Sequence, residues 1–429
     1  MQRYESYKPS GVKWLGDVPA HWEIRPGFTC FKENKDRNKG LVESTVLSLS
    51  YGRIVIKPEE KLTGLVPESF EGYQLIKPGD IVIRTTDLQN DQTSLRVGYA
   101  KDKGMITSAY LGLRCHPEIN PEYVFRLLES YDALKVFYGM GSGLRQNIDF
   151  WDFKRLPVPL PPRDEQDRIV AFLEQKTAEI DAAIAKKERL IKLLVQQKDI
   201  QINHVVTYGL DPDVPLKDSG LLYTKKMPEH WLIKKVKHVS LISPSKTLDG
   251  RRRTAESVCF LPMERIGDDG TINSGERKAA NEIFDGFTYF RKGDVVIAKI
   301  TPCFENGKGA WLKDLPTDYG FGTTELHVFR PTKIYGDFLF RLLNRKSFLT
   351  EGEEFMVGSA GQKRIPTSFI ANYLFACPPI EEQRKICVWI SELCAGTELL
   401  IRTERDAISR LTELKKVLIS SAVTGLVKV

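Results

Sequence analysis

Three short polar stretches in each half of this 429-residue chain carry the donors and acceptors that base edges and phosphates require. In the first half, Arg84, Thr85, Thr86 and Asp87 follow the apolar triplet Ile81-Val82-Ile83, with Gln89 and Asn90 just beyond. In the second half, Lys299, Thr301, Asn306 and Lys308 follow Val295-Val296-Ile297. The pairs Thr107-Ser108 and Thr323-Thr324 each precede an apolar run. Arg145-Gln146-Asn147 and Gln362-Lys363-Arg364 each follow a glycine-bearing turn. Guanidinium and amide groups present paired hydrogen-bonding atoms in one plane, the geometry that discriminates bases. Lysine and hydroxyl side chains suit phosphate contacts, which position without specifying. The same residues also make ordinary solvated loops, so on their own they leave both readings open. Arg251-Arg252-Arg253 adds a basic run that suits either phosphates or an exposed mobile loop.

Catalytic chemistry finds no comparable footing. There is no Asn-Pro-Pro-Tyr or Asp-Pro-Pro-Tyr motif for amino-group methylation, no Walker-type phosphate loop and no His/Cys metal cluster. The run Gly139-Met140-Gly141-Ser142-Gly143 does not join a strand to a helix as a nucleotide-binding loop would. Its counterpart, Gly358-Ser359-Ala360-Gly361, breaks the glycine pattern, so a turn that positions the residues after it is the better reading. No catalytic residue and no metal ligand is assigned. His21-Trp22 and His230-Trp231 recur in both halves beside apolar residues and read as packing elements.

Composition sets the class. Hydrophobic content of 41% and charged content of 28% are those of a globular protein, and 429 residues suit two to four domains. The seven cysteines include no Cys-x-x-Cys pair, which disfavours both a disulfide framework and zinc. No stretch approaches the ~20 apolar residues of a membrane helix, and the N-terminus lacks a signal-peptide core. A soluble protein of the cytoplasm is expected, with no membrane partner. The net charge of +7 is compatible with nucleic acid without requiring it.

The elements that must position the polar stretches occur twice. Pro161-Pro162-Arg163-Asp164-Glu165-Gln166 returns as Pro378-Pro379-Ile380-Glu381-Glu382-Gln383. Pro19-Ala20-His21-Trp22 returns as Pro228-Glu229-His230-Trp231, and Pro78-Gly79-Asp80 as Lys292-Gly293-Asp294. Phe125-Arg126-Leu127-Leu128 matches Phe340-Arg341-Leu342-Leu343, and Val206-Thr207 matches Val423-Thr424. The order is preserved while the spacing drifts, so loops differ on a common frame. Strands are expected after each Gly-Asp, at Leu111 to Cys115 and at His327 to Phe329, with helices over Pro121 to Val136 and Asp337 to Leu349.

Each proline-rich signature opens a long helix. Prolines forbid helix before it, and acidic residues favour its start. From Asp164 to about Val206 there is no proline or glycine, and Ile169, Leu173, Ile180, Ile184, Ile191 and Val195 form one stripe. That is a helix of about 42 residues, roughly 60 Å long. The second runs from Glu381 to about Val423, with Gly396 as a weak point. A single stripe on so long a helix needs a partner, and its twin is the natural one. The expected fold is mixed α+β. Two similar α/β domains (1–160 and 209–377) are joined by two long helices (161–208 and 378–429) packed as an antiparallel coiled coil with pseudo-two-fold symmetry. Two similar domains on a stiff spacer suit a long regular polymer such as duplex DNA, whose major groove returns every ~34–36 Å.

The chain resembles the specificity subunits of type I restriction–modification systems. The opening Tyr7-Lys8-Pro9-Ser10-Gly11-Val12-Lys13-Trp14-Leu15-Gly16-Asp17-Val18-Pro19-Ala20-His21-Trp22 is similar to that of many members, as is the stretch from Gly143 through Leu156-Pro157-Val158-Pro159-Leu160-Pro161-Pro162 to Ile169. The resemblance covers essentially the whole chain. It implies two target recognition domains, each reading half of a bipartite asymmetric site in double-stranded DNA. It further implies that the helices set the spacer between the half-sites and dock two modification (adenine methyltransferase) subunits, which restriction subunits join. The chain itself would be non-catalytic and hold no cofactor, S-adenosylmethionine being bound by the methyltransferase partners. Glutamine or lysine is frequent in the family's polar turn, where the first half here has Arg145 and the second Gln362. The alternative is a non-catalytic protein-binding scaffold, with two α/β modules on a coiled-coil spacer. Polar loops that differ between the copies favour DNA reading, because different half-sites need different readers.

Overall fold

A computed structural model of the chain describes residues 2–58, 69–88, 91, 95–140, 147–221, 224–246, 255–359 and 361–429. It divides into two compact units. The first comprises Met1–Glu188 with Arg405–Val429, and the second comprises Arg189–Glu404. The candidates Gln89, Asn90, Arg145 and Gln146, the basic run Arg251-Arg252-Arg253 and the glycines at 141 and 143 lie outside the described residues.

Each unit is built on an antiparallel four-stranded sheet of the same strand order. In the first unit the order is Phe31–Glu33, Tyr110–Cys115, Ile81–Arg84, Val97–Tyr99. In the second it is Ser240–Ile242, Leu326–Pro331, Val295–Ala298, Gly309–Trp311. The register agrees too, with Leu113 opposite Ile81 and Phe329 opposite Val295. One helix packs against each sheet, Pro121–Ala133 in the first unit and Gly336–Leu343 in the second. The second helix was expected to continue to Leu349. Instead it stops at Asn344, and a separate helix spans Lys346–Glu354. Arg345 between them adopts extended backbone, and its buried guanidinium binds the Thr207 and Tyr373 hydroxyls.

The repeated Gly-Asp turn is held by a buried charge. Asp80 accepts from Arg114 Nε and Nη2 at 2.8 and 2.7 Å, and from the Lys77 N–H at 2.9 Å. Asp294 accepts from Arg330 Nε and Nη2, both at 2.8 Å, and from the Arg291 N–H at 2.8 Å. A two-point guanidinium–carboxylate pair fixes both angle and distance. It therefore sets where the strand after the turn begins, and with it where the polar residues at that strand's end emerge.

The units differ outside this frame. The first adds two-stranded pairs, Leu47–Ser50 with Arg53–Ile56 and Gln74–Ile76 with Gly104–Ile106. The second adds a four-stranded sheet over Arg277–Ala279, Ser257–Leu261, Tyr319–Gly322 and Thr288–Arg291, in which one pair is parallel.

The proline-rich signatures behave as their chemistry dictates. Pro157–Leu160 and Leu374–Cys377 each lie in a two-stranded sheet, and in the first of them the edge position tolerates the amide donors that Pro157 and Pro159 lack. The long helices follow at Arg163–Tyr208 (46 residues) and Ile380–Val423 (44 residues), the latter continuous through Gly396. In each first turn a Glu-Gln pair ties several segments together. Glu165 accepts from the Tyr4 hydroxyl at 2.6 Å and Trp22 Nε1 at 3.2 Å, and meets His21 Nε2 at 2.8 Å. Glu382 accepts from Trp231 Nε1 at 3.1 Å and meets His230 Nε2 at 2.8 Å. Gln166 donates to the Pro161 carbonyl and accepts from the Asn120 N–H, at the start of the sheet-packing helix. Gln383 does the same with Pro378 and Tyr335.

Within the first unit, Ile169, Val170 and Leu173 of the first long helix share a core with Leu418, Ile419, Ala422 and Val423 of the second. Asp181 also binds Lys415 at 2.7 Å. Within the second unit, Val205 and Val206 of the first helix meet Ile386, Cys387 and Ile390 of the second. The start of each helix thus lies against the end of the other, so the pairing is antiparallel. The expected apolar stripe is graded: Ile169 and Leu173 are buried, Ile180, Ile184 and Ile191 half-buried, and Val195 exposed. Among the described residues no helix is long and apolar enough to cross a membrane.

The two carboxylate–arginine pairs give unequal expectations. Asp294→Ala leaves Arg330 without its carboxylate and should cost about 3 kcal/mol. Asp80→Ala should cost less, because Arg114 retains Asp36 at 2.8 Å. Urea denaturation of the full chain, compared for the two variants, checks the order.

Candidate nucleic-acid interface

The three polar regions of each half converge. In the second unit, the strand Val295–Ala298 delivers Lys299 and Thr301 beside the turn that carries Gln362, Lys363 and Arg364. The Thr301 N–H donates to the Lys363 carbonyl at 3.0 Å, and the Lys363 N–H donates to Thr301 Oγ1 at 3.1 Å. The Ile365 N–H donates to the Lys299 carbonyl at 2.9 Å. The third region joins through Glu325, next to Thr323 and Thr324. The Lys299 N–H donates to the Glu325 carbonyl, while Arg364 forks onto the Glu325 carboxylate with both contacts at 2.9 Å.

The first unit repeats this frame with other residues. The Ile148 N–H donates to the Thr85 carbonyl at 3.1 Å, as Ile365 does to Lys299. The Asp87 N–H donates to Asn147 Oδ1 at 3.3 Å. Thr85 Oγ1 donates to the Ala109 carbonyl at 3.5 Å, beside Thr107 and Ser108. One backbone hydrogen bond, Ile148 to Thr85 and Ile365 to Lys299, is therefore common to both halves, whereas the other contacts and the side chains that face solvent differ.

Exposure sorts the candidates further. Ser108, Asn147, Thr324, Gln362, Lys363 and Arg364 are exposed, and Arg84, Thr86, Thr107, Lys299, Thr301 and Thr323 are half-buried. Arg84 holds Asp91 at 3.1 Å. Thr85 is buried at 8% exposure, which makes it part of the floor beneath the loop. Lys308 turns its ammonium onto the Met263 carbonyl at 3.2 Å. Asn306, though exposed, lines a separate cavity with Lys198, Asp268, Arg341 and Glu398. Lys308 and Asn306 are thus set apart from the converging group.

The turn in the second unit is a small hairpin. The Val357 and Arg364 backbones exchange hydrogen bonds at 3.0 and 2.8 Å, and Gln362 N–H closes onto the Ser359 carbonyl. Gly358 at φ 137° lies so close to the Gln362 backbone that a Cβ would sit 2.7 Å from its carbonyl oxygen. The glycine here serves chain geometry, as the broken glycine pattern indicated, and it presents the three polar side chains that follow. Beneath it, buried His327 meets the Ile365 carbonyl through Nε2 at 3.1 Å, and burial pushes its pKa down. The Arg364 guanidinium holds Glu325 below the usual carboxylate range. The ion pair thereby fixes the arginine's planar fork before any ligand arrives.

Sequence reading missed Arg96 and Tyr138. Arg96 is fully buried although it is an arginine, and it underlies the polar loop of the first unit. The available signal was its place next to the strand Val97–Tyr99, at the position Lys308 holds in the other half. The Arg84 N–H donates to the Arg96 carbonyl just as the Ala298 N–H donates to that of Lys308.

Comparison with known proteins places this geometry. Residues 23–192 match the family model described as "Type I restriction modification DNA specificity domain". The chain is 39% identical over 297 residues to the type I restriction enzyme EcoEI specificity subunit of Escherichia coli. It is 31% identical over 297 residues to the EcoAI specificity subunit of the same organism. Each match covers 66% of this chain and 46% of the relative, so the chain spans about half the length of these two relatives. A chain solved in a study of complex assembly and conformational transition of the type I R-M system has the same fold, with a TM-score of 0.68. Its identity is 16%, over 95% of this chain and 98% of that one. The mixed α+β frame, the repeated signatures and these likenesses agree: the chain carries a type I restriction modification DNA specificity domain at residues 23–192 and is similar to type I restriction enzyme specificity subunits.

Proposed function

We propose that this chain is the sequence-reading, non-catalytic subunit of a type I restriction–modification complex. Each unit reads one half of a bipartite, asymmetric site in double-stranded DNA. The observation that carries this reading is the convergence of three polar regions on one frame in both units, with different side chains on it. A frame that repeats while its exposed groups change is what two unlike half-sites require. In the second unit, Arg364 supplies a planar fork for a base edge and Lys363 a cation for a phosphate. In the first, Asn147 holds the place of Arg364, and Arg84 and Thr86 lie at the end of the adjoining strand.

The paired helices set the number of unread base pairs and present a surface to protein partners. Support for the second role comes from apolar side chains that the pairing leaves exposed: Leu190, Leu193 and Ile200 on the first helix, and Leu399, Leu400, Leu414 and Val417 on the second. Helices satisfied by each other alone would carry polar groups there. Two modification (methyltransferase) subunits are the proposed occupants, with S-adenosylmethionine held by them, and restriction subunits join that assembly.

Selection of bound duplexes from a random pool should enrich one bipartite sequence, with affinity falling steeply as salt rises. Equal binding to all duplexes, or no binding, would overturn the assignment. Lys363→Ala should weaken binding to every duplex alike and reduce the salt slope by about one. Arg364→Ala should instead lower discrimination at one base pair by about tenfold. Deleting one heptad from the middle of each long helix together should shorten the selected spacer by about three base pairs, since seven helical residues rise ~10 Å. An unchanged spacer would remove the helices from that role.

A further inference from the structure

We infer that Arg96 is the positioning residue for the reading loop of the first unit, which it holds from beneath without touching DNA. This rests on the DNA-reading function proposed above. Arg96 is 0% exposed, and all five of its guanidinium N–H donors are spoken for. Nη1 donates to the Arg84 and Thr86 carbonyls at 3.3 and 2.8 Å. Nη2 donates to the Asp87 and Asp91 carbonyls at 3.1 and 2.5 Å. Nε donates to the Tyr138 hydroxyl at 3.2 Å, and that hydroxyl donates in turn to the Asp91 carbonyl at 3.0 Å. One side chain therefore gathers four carbonyls from the segment that bears the candidate base-reading groups.

Stability alone does not explain this choice. A buried cation is costly to desolvate, and an apolar side chain of similar size fills a core at less expense. What the guanidinium adds is direction, because its rigid plane dictates where each of four carbonyls must lie. Asp87 shows the result. Its φ of 62° is in the left-handed region, unfavourable for a residue other than glycine. It is held from below by Arg96 on its carbonyl and from the side by Asn147 on its N–H. Arg96 is anchored in turn, its own N–H donating to buried Asp132 at 2.7 Å. Its ring neighbour Tyr138 lies 5.4 Å from the guanidinium carbon.

Among its described residues the second unit does not repeat this device. Its equivalent residue, Lys308, points to Met263, and the loop from Lys299 is fastened from the side by Lys363 and Ile365. The two units thus position their loops by different chemistry. Loss of Arg96 must consequently be felt at one half-site only, a readout that general destabilisation would not produce.

The test uses the full chain and the bipartite duplex that the wild type selects from a random pool. Duplexes altered at single base pairs in either half then measure discrimination for wild type, Arg96→Gln and Tyr138→Phe. Arg96→Gln should lose about tenfold or more of the discrimination at one half-site and keep that at the other within about twofold. Tyr138→Phe removes a single hydroxyl and should lose about threefold at the same half-site. It decides the matter alone if Arg96→Gln shows no cooperative unfolding transition. Unchanged discrimination in folded variants, or equal loss at both half-sites, overturns the positioning role. A wild-type chain that selects no sequence overturns the DNA-reading function instead, so the two failures are distinguishable.

Discussion

The carboxylate and amide in the first turn of each long helix are the constraint on which the rest depends. Glu165 is nearly inaccessible to water, yet it gathers a tyrosine, an indole and an imidazole from residues 4–22. Gln166 beside it reaches the preceding proline carbonyl and the start of the helix that backs the sheet. A carboxylate at a helix N-terminus also sits where the peptide dipoles favour it. Two adjacent side chains therefore fix the long helix, the entry of the chain and the sheet-packing helix in one arrangement. Glu382 and Gln383 repeat the arrangement with His230, Trp231 and Tyr335. This is the physical content of the Pro-Pro-x-x-Glu-Gln repeat.

From that junction the frame extends inward to the Asp–Arg pairs and outward to the polar loops. The pairs set the origin of the central strands, and each strand end meets its turn through a backbone hydrogen bond, Thr85 with Ile148 and Lys299 with Ile365. Backbone bonds ignore side-chain identity, so exposed residues can change while the loop keeps its place. Where a side chain does intervene, as Glu325 does with Arg364, it holds the planar group that would otherwise lose rotamer freedom on binding. Rigid strands carrying variable loops are a general solution for recognition.

Much of the fold was legible because its signals are local. Proline excluded helix before Arg163 and Ile380, and unbroken apolar spacing gave both long helices almost to their ends. The duplication showed that strands after Asp80 and Asp294 were equivalent. The break at Asn344 was not legible, since Arg345 leaves the helix for partners at Thr207 and Tyr373 that no local pattern announces. The site was legible by region more than by residue. Ser108, Asn147, Lys363 and Arg364 face solvent, whereas Thr85 went into the floor and Lys308 and Asn306 went elsewhere. Arg96 escaped notice because buried arginines are rare, and its one cue, the position it shares with Lys308, does not tell that it is buried.

The division of the chain has a consequence for how it is made. The second unit is one continuous stretch, Arg189–Glu404, but the first needs Arg405–Val429 to complete its core. Val423 supplies the carbonyl for the Tyr123 hydroxyl, and Gln2 pairs with Lys428. On the ribosome, the amino-terminal portion must therefore wait, at ~5–20 residues per second, about 10–50 s after residue 188 is added. The unit begun second is the first that can close. Through that interval the Leu173 face has no Leu418 or Ile419 to cover it, so an apolar surface stays open on the nascent chain until residues 405–429 arrive.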